Sequence, residues 1–373
     1  MTDFTFETTP KIISRAGATG EIGSILAATG ARHVALITDA SVRALGLTEA
    51  AEASIAATGL ACTVFTNIKP DPPEELVSDA VDACEGADAV AAVGGGSALD
   101  VAKVVALRLG GDQPLDEMYG VGNAIGPRVP LVLAPTTAGT GSEVTPISIL
   151  TRPGNLKMGI VAPALFPDVA LLDANLTLGL PQDQTAATGV DAMVHAIEAY
   201  TTKLKKNPVS DALAKEALRL LAGNIERVCD APADVEARQA MLLGSCLAGM
   251  AFANAPCAGV HALAYPLGGH FKVPHGLSNA LILPDVLAFN TPVAGAMYDQ
   301  LAPIVFGPGI GLEKGFRALA PRIGLPTTLR EVGVSHNHLP MMAADAMKQT
   351  RLLVNNPREI TENDALAIYT AAL

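Results

Sequence analysis

Short apolar runs alternate with amphipathic stretches through the first half of the chain. ARHVALITD, ACTVFTNI, ADAVAAVGGG and VPLVLAP are brief, rich in Val, Ala and Leu, and bounded by Asp, Gly or Pro, as strands are. Between them SVRALGLTEAAEASIAAT and EELVSDAVDACEGA carry apolar residues three and four apart and read as helices, and a further helix begins near Ala98. Strands buried on both faces and joined by helices form a doubly wound, mostly parallel, Rossmann-like sheet, whose ligands sit at the carboxyl ends of the strands. After about Pro181 the pattern changes. SDALAKEALRLLAGNIERV and DVEARQAMLLGSCLAGMAFAN are long, rich in Ala, Leu and Met, and preceded by the polar caps Ser210 and Asp234, so the second half is expected to be all helical. Residues 1–180 should form an α/β domain and residues 181–373 an all-α domain.

Composition narrows the class. Of 373 residues half are apolar, with no uninterrupted apolar run of 18, and the first residues, MTDFTFETTPKIISR, are polar and mixed in charge. A soluble cytoplasmic protein is expected, without a membrane partner. The net charge of −12 disfavours nucleic acid. Five scattered cysteines with no CxxC pair argue against disulfides and thiolate zinc, and read as small buried residues.

Candidate chemistry falls in two places. Gly94, Gly95, Gly96 and Ser97 follow a strand and open a helix, where backbone can approach a phosphate and free amides meet its charge. The glycines follow the third apolar run and not the first, and the acidic residue, Asp39, precedes them instead of following by about 20 residues. Asp39 either accepts hydrogen bonds from an adenosine ribose, favouring NAD over NADP, or caps the next helix. Hydroxyls crowd the loop at Thr136, Thr137, Thr140, Ser142 and Thr145, and Lys157 follows the turn RPGNL.

In GVDAMVHAIEAY, Asp191 and His195 lie one helical turn apart on one face. The run VHALAYPLGGHFKVPHGLSNA adds His261 and His275, with Pro266, Gly268, Gly269 and Pro274 between them to bend the chain back. One oxygen and three nitrogens suit a divalent metal such as Fe(II) or Zn(II). The candidate catalytic group is His261 with Tyr265 and His270. Tyr265, one turn after His261, is read as a pocket wall, and His270 as an alternative exit for a proton.

GGGSALDVAK, TTAGTGSEVT, ATGVDAMVHAIEAY, FANAPCAGVHALAYPLGGHFKVPHG and NNPREIT, in that order, resemble the iron-containing (group III) alcohol dehydrogenases. Glycerol dehydrogenases and dehydroquinate synthases are more distant kin. The resemblance implies a dehydroquinate synthase-like architecture with a metal held by Asp191, His195, His261 and His275 at the cleft between two domains. It also implies cofactor contacts from Asp39, Asp71, Gly95, Gly96, Ser97, Asp100, Thr136, Thr137, Thr145 and Lys157, and a homodimer or larger oligomer. Tyr265 stands where many members have a second His, and Asp71 where Asn is common.

The expected function is transfer of hydride between NAD(H) and a small primary alcohol or aldehyde, a divalent metal lowering the pKa of a bound hydroxyl as it lowers that of water from about 15.7 to about 7. The competing readings are an NAD-retaining transhydrogenase and a dehydroquinate synthase-like lyase. The lyase would need a cluster of Lys and Arg that the motif segments lack.

Overall fold

A computed structural model describes residues 3–154 and 156–373; Met1 and Thr2, in the polar first stretch, and Asn155, in the RPGNL turn, lie outside them. The chain forms two compact units, one of residues 7–137 and 141–178, the other of 1–6, 138–140 and 179–373.

Among the described residues the first unit has the strands β1 (Lys11–Ser14), β2 (His33–Ile37), β3 (Ala61–Phe65), β4 (Ala89–Gly94), β5 (Gly120–Val121), β6 (Leu131–Pro135), β7 (Ile147–Arg152), β8 (Leu156–Val161) and β9 (Val169–Leu172). Its helices are α1 (Ile22–Ala27), α2 (Ala40–Ala44), α3 (Glu49–Ala57), α4 (Glu75–Ala83), α5 (Gly96–Gly110) and α6 (Leu115–Met118). Six strands make one parallel sheet in the order β1-β9-β6-β4-β2-β3. Alternate residues go to opposite sides. Ile37, Val90, Ala92 and Leu133 pack with Leu99 and Val104 of α5, while Leu36, Ala91, Val93 and Val132 pack with Ile22 of α1 and Ile55 of α3. With both faces covered, strands read as continuous apolar runs.

The strand order explains the misplaced fingerprint. From β2 the chain moves outward to β3, then returns to the other side of β2 to lay down β4, so the winding reverses between β2 and β4. Asp39, just past β2, and the glycines, at the end of β4, therefore sit on neighbouring strands at the switch point, where such sheets take their ligands. What chain order separates, the sheet brings side by side.

Several local expectations need correction. The stretch SVRALGLTEAAEASIAAT is two helices, because Gly46 takes a φ of 75° and breaks it after α2. The helix after the glycines begins at Gly96. The strand β1 and a second, three-stranded sheet, β5-β8-β7, with β7 and β8 antiparallel, were not expected. Cys62 is exposed, since β3 is an edge strand, whereas the other four cysteines are buried.

The second unit is helical: α7 (Gln182–Thr201), α8 (Pro208–Asp230), α9 (Val235–Asn254), α10 (Gly259–Phe271), α11 (His275–Phe306), α12 (Leu312–Arg322), α13 (Leu339–Ala346), α14 (Thr350–Leu353) and α15 (Glu362–Ala372). Asp234 caps α9 through the Ala237 amide, as expected. The cap of α8 is Asn207, which accepts from the Ser210 amide at 2.8 Å, and not Ser210 itself; Pro208 starts the helix. By length and composition α11 could cross a membrane, but half of its most apolar window is buried inside the protein, as in a core helix. Helix α7 is buried around nearly its whole circumference from Thr185 to Thr201. That makes it a rigid mount for polar side chains.

Candidate metal centre and dinucleotide site

In the helical unit, α7 supplies Asp191 and His195, α10 supplies His261, and α11 begins with His275. One ligand atom from each of the four lies within 4.8 Å of the others. Asp191, His195 and His261 are buried, while the His275 side chain is 43% exposed and forms the open side. The Asp191 Oδ1 stands 3.9 Å from His261 Nε2 and 3.8 Å from His275 Nε2, beyond hydrogen bonding. Two ligands about 2.1 Å from one ion are separated by about 3.4 Å in a tetrahedron, so a small contraction would seat a metal.

The polar atoms around the cluster fit a cation. Asn279, one turn after His275, directs its amide nitrogen to Asp191 Oδ1 at 2.6 Å and stands 3.3 Å from both His261 Nε2 and His275 Nε2. Its Oδ1 is buried with no hydrogen-bond partner among the described residues. Acceptors converge on one point, an arrangement that a metal ion satisfies. Burial works to raise the Asp191 carboxyl, but the three imidazoles and Asn279 outweigh it and hold it below the usual range. Burial pushes His195 down to about 4 against the pull of Asp191, so its ring is neutral at pH 7 and has a lone pair to give.

Each ligand is held from behind. His195 Nδ1 is 3.2 Å from the Gly139 carbonyl, and its ring stacks on Phe252 at 4.4 Å between centroids. His261 Nδ1 lies 2.6 Å from the buried carboxylate of Glu198. Tyr265 meets the His275 ring edge-on at 6.3 Å. His270 is outside the cluster, with its Nε2 3.1 Å from Asp345 of α13. Glu198, Asn279 and Phe252 were not expected at the cluster. The first two carried a signal, since Glu198 lies three residues after His195 and Asn279 four after His275, on the ligand-bearing faces.

In the sheet unit the glycine turn leaves the N-terminus of α5 open: its N-cap, Gly95, makes no side-chain cap among the described residues. A methyl group at Gly95 would meet nothing nearer than the Thr137 methyl at 4.0 Å, so there is room before the helix for an anion. Gly94 is required for packing instead, because a methyl there would come within 2.6 Å of the Ala98 Cβ. Ser97 sits in the first turn of α5, and Thr136 extends the ladder through its amide to Gly94 O at 3.0 Å. Asp39 caps α2, its Oδ1 accepting from the amides of Ser41 and Val42 at 2.9 Å. Lys157 and Asp71 pair with each other at 2.6 Å. Thr140 belongs to the helical unit with Ala138 and Gly139, whereas Thr136, Thr137 and Thr145 belong to the sheet unit.

Two of the expected contact residues are occupied internally. Asp100 accepts from Ser142 Oγ at 2.6 Å and the Ile149 amide at 2.9 Å. Thr145 accepts from Lys103, a fully buried lysine that also donates to Ser142 Oγ and to Ile147 O at 2.8 and 2.7 Å. This network fastens the hydroxyl-rich loop to α5. Lys103 stood in GGGSALDVAK unremarked, since a lysine in a helix reads as a surface residue. Burial pushes the neighbouring Glu143 up to about 7, only partly offset by its own backbone and Lys103.

Residues 9–174 match the family model described as iron-containing alcohol dehydrogenase, and residues 185–373 match its Fe-containing C-terminal counterpart. The chain is 38% identical to long-chain-alcohol dehydrogenase 1 of Geobacillus thermodenitrificans (strain NG80-2), over 92% of this chain and 90% of that protein. It is 34% identical to an NAD-dependent methanol dehydrogenase of Bacillus methanolicus, over the full length of both. A crystal structure of a 1,3-propanediol oxidoreductase superposes with a TM-score of 0.96 at 32% identity, covering 100% of each chain.

Two tests follow from the packing. A methyl at Gly276 would lie 2.5 Å from the Ala187 carbonyl oxygen and 3.3 Å from the Asp191 Cβ. Gly276→Ala should force α11 from α7, cost about 1–3 kcal/mol in thermal or urea unfolding, and weaken metal loading along with stability. Unchanged values in both would refute the close approach. Folded Glu143 keeps its proton to about pH 7, while the unfolded group loses it near 4.5. The native state therefore binds more protons in that window, and this group's contribution to stability falls as pH rises through it. Glu143→Gln should shrink the loss of urea stability between pH 5 and 8 by up to about 3 kcal/mol, and an unaltered pH profile would refute the assignment.

Proposed function

The chain belongs to the iron-containing alcohol dehydrogenase family, and on that footing we propose that it passes hydride between NAD(H) and a small primary alcohol or aldehyde at a metal held by Asp191, His195, His261 and His275. It is an alcohol/aldehyde oxidoreductase of a family that uses NAD and one metal. The observation that carries the proposal is the convergence of those four ligands on one point. One carboxylate and three imidazoles accept Fe(II) or Zn(II), and the family favours iron. Relatives of similar identity are named for long-chain alcohols and for methanol, so identity does not select the chain length of the substrate.

A bound ion supplies Lewis-acid stabilisation of the negative charge that develops on the alcohol oxygen, and NAD supplies the hydride acceptor. The protein's part is position and environment. Asp191 brings the one formal negative charge in the ligand set, and His195, neutral at pH 7, brings an uncharged donor. Phe252 covers one face of His195 and keeps water from it. Tyr265, edge-on to His275, bounds the open side and shapes the substrate, and His270, held by Asp345, takes no part. In the sheet unit the open N-terminus of α5 would hold the pyrophosphate. Both cap bonds of Asp39 use Oδ1, which leaves Oδ2 for a ribose hydroxyl. We assign the chain to the cytoplasm as a homodimer or larger oligomer; its charge of −12 supports the absence of nucleic acid from its partners.

Asp191→Ala or His275→Ala should abolish turnover and metal loading with the fold retained, measured by NADH absorbance across a panel of alcohols and by metal analysis. A metal-free variant with full activity would refute the centre. Asp39→Gly tests the ribose contact cleanly, because Gly is itself a tolerated cap that costs only a few tenths of a kcal/mol. The ratio of kcat/KM for NADP to that for NAD should rise at least about tenfold, and an unchanged ratio would leave Asp39 as a cap alone. Tyr265→Ala should shift the size preference for substrates while Tyr265→Phe and His270→Ala leave the pH profile of kcat/KM in place. A loss of about a hundredfold in Tyr265→Phe, with metal and NAD bound, would make Tyr265 part of the proton path.

A further inference from the structure

A carboxylate that the hydride reaction does not use is buried in the last turn of α7. Glu198 is 3% exposed, and its carboxylate is directed at the first turn of α10. Its Oε1 accepts from the Val260 amide at 2.6 Å; its Oε2 accepts from the Ala258 amide at 2.9 Å and lies 2.6 Å from His261 Nδ1. Ala258 is the N-cap of α10 and has no side chain able to cap it. A residue 60 positions earlier in the chain does so instead.

The same carboxylate, with Cys257 and His261, could be taken for a second metal group, since their ligand atoms also fall within 4.8 Å. The bonding decides against it. Both Glu198 oxygens already receive backbone N–H donors, and an ion at His261 Nδ1 would have to displace the short contact there. A carboxylate accepting two amides has only acceptor capacity left for the imidazole, so Nδ1 must carry the hydrogen. In the neutral ring Nε2 is then the nitrogen with the lone pair, and Nε2 is the atom that faces Asp191 and Asn279. The turn is braced from its other side by the near-terminal NNPREIT segment. Asn355 donates to the Cys257 carbonyl at 2.8 Å, Asn356 accepts from the Gly259 amide at 3.3 Å, and Asn356 and Asn290 exchange a reciprocal pair of amide hydrogen bonds at 2.8 and 3.0 Å.

We infer that Glu198 is a positioning residue for the metal centre: it fixes the Nδ1–H tautomer and ring orientation of His261 and clamps the start of α10, so that Nε2 is presented to the ion. The inference rests on the metal-site reading above and adds to it the residue that aims one ligand. Partners of this kind behind a ligating imidazole are worth about 10–100-fold in metal affinity.

The experiment compares wild type, Glu198→Gln and Glu198→Asp as full-length apoproteins. Co(II) and Zn(II) affinities are read by competition with a chromophoric chelator, and the His261 tautomer by ¹⁵N shifts of histidine-labelled protein. Circular dichroism and NADH binding report the fold. Glu198→Gln keeps the shape but must turn an NH₂ toward one of three donors. It should lose about 10–100-fold in metal affinity and the Nδ1–H signature of His261, with NADH binding unchanged. Glu198→Asp keeps the charge on a shorter arm and should fall between, and it carries the test if the glutamine variant does not fold. Unchanged metal affinity and tautomer in either folded variant, beside a wild type that binds metal tightly, would overturn the inference alone. A wild type that fails to bind metal would overturn the centre and the inference together.

Discussion

Four metal ligands can converge only if the helices that carry them approach closely and leave no other polar demand unmet. Helix α7 meets that condition by being buried almost all round, so Asp191 and His195 project from a backbone with no freedom to drift. Close approach is secured by missing side chains. Gly276 lets α11 touch the backbone of α7 at Ala187, and Gly139, whose methyl would come within 2.8 Å of Thr188 Cβ, lets its carbonyl reach His195. Because the charged and polar ligands lie in a region of low dielectric, each needs a partner, and Glu198, Asn279 and Gly139 O supply them. The centre is therefore a property of the whole helical core and not of four residues.

The sheet unit solves a different problem with a similar economy. Parallel strands buried on both sides leave their carboxyl ends as the place where backbone and solvent meet, and the reversal between β2 and β4 opens a gap there. The loop that follows β6 must stay in place at that edge. It is pinned by the buried Lys103 and Asp100 of α5, which together engage Ser142, Thr145, Ile147 and Ile149. Asp100 and Thr145 thus act on the loop itself, which their bonds hold rigid.

The elements that were legible in the sequence are those whose signal is local. The β2, β3, β4 and β6 runs, the helices after the first three of them, the helical second half, and the Asp191 and His195 pair all follow from periodicity within a dozen residues. His261 and His275 could be grouped because Gly and Pro between them allow a return. The strands β1, β7, β8 and β9 escaped because short strands depend on a partner for their identity; β1, for example, pairs with β9, more than 150 residues on. Glu198 and Lys103 escaped for the same reason. Nothing near them in sequence says that they are buried, and their partners lie 63 and 39 residues away. The split of SVRALGLTEAAEASIAAT turned on one glycine that periodicity counts as tolerable.

Two helix starts in this chain receive opposite treatment. The first amides of α5 follow Gly94 and Gly95 and have no side-chain cap among the described residues, so their partial positive charge is left without a resident anion at the switch point. The first turn of α10 is met by a resident carboxylate, with two of its amides taken up by Glu198 and a third by Asn356. An uncapped helix end costs stability unless an anion arrives to use it, whereas a capped one can hold a side chain still but binds nothing further. Open amides therefore leave room for an anion from outside. Closed ones hold the His261 ring still.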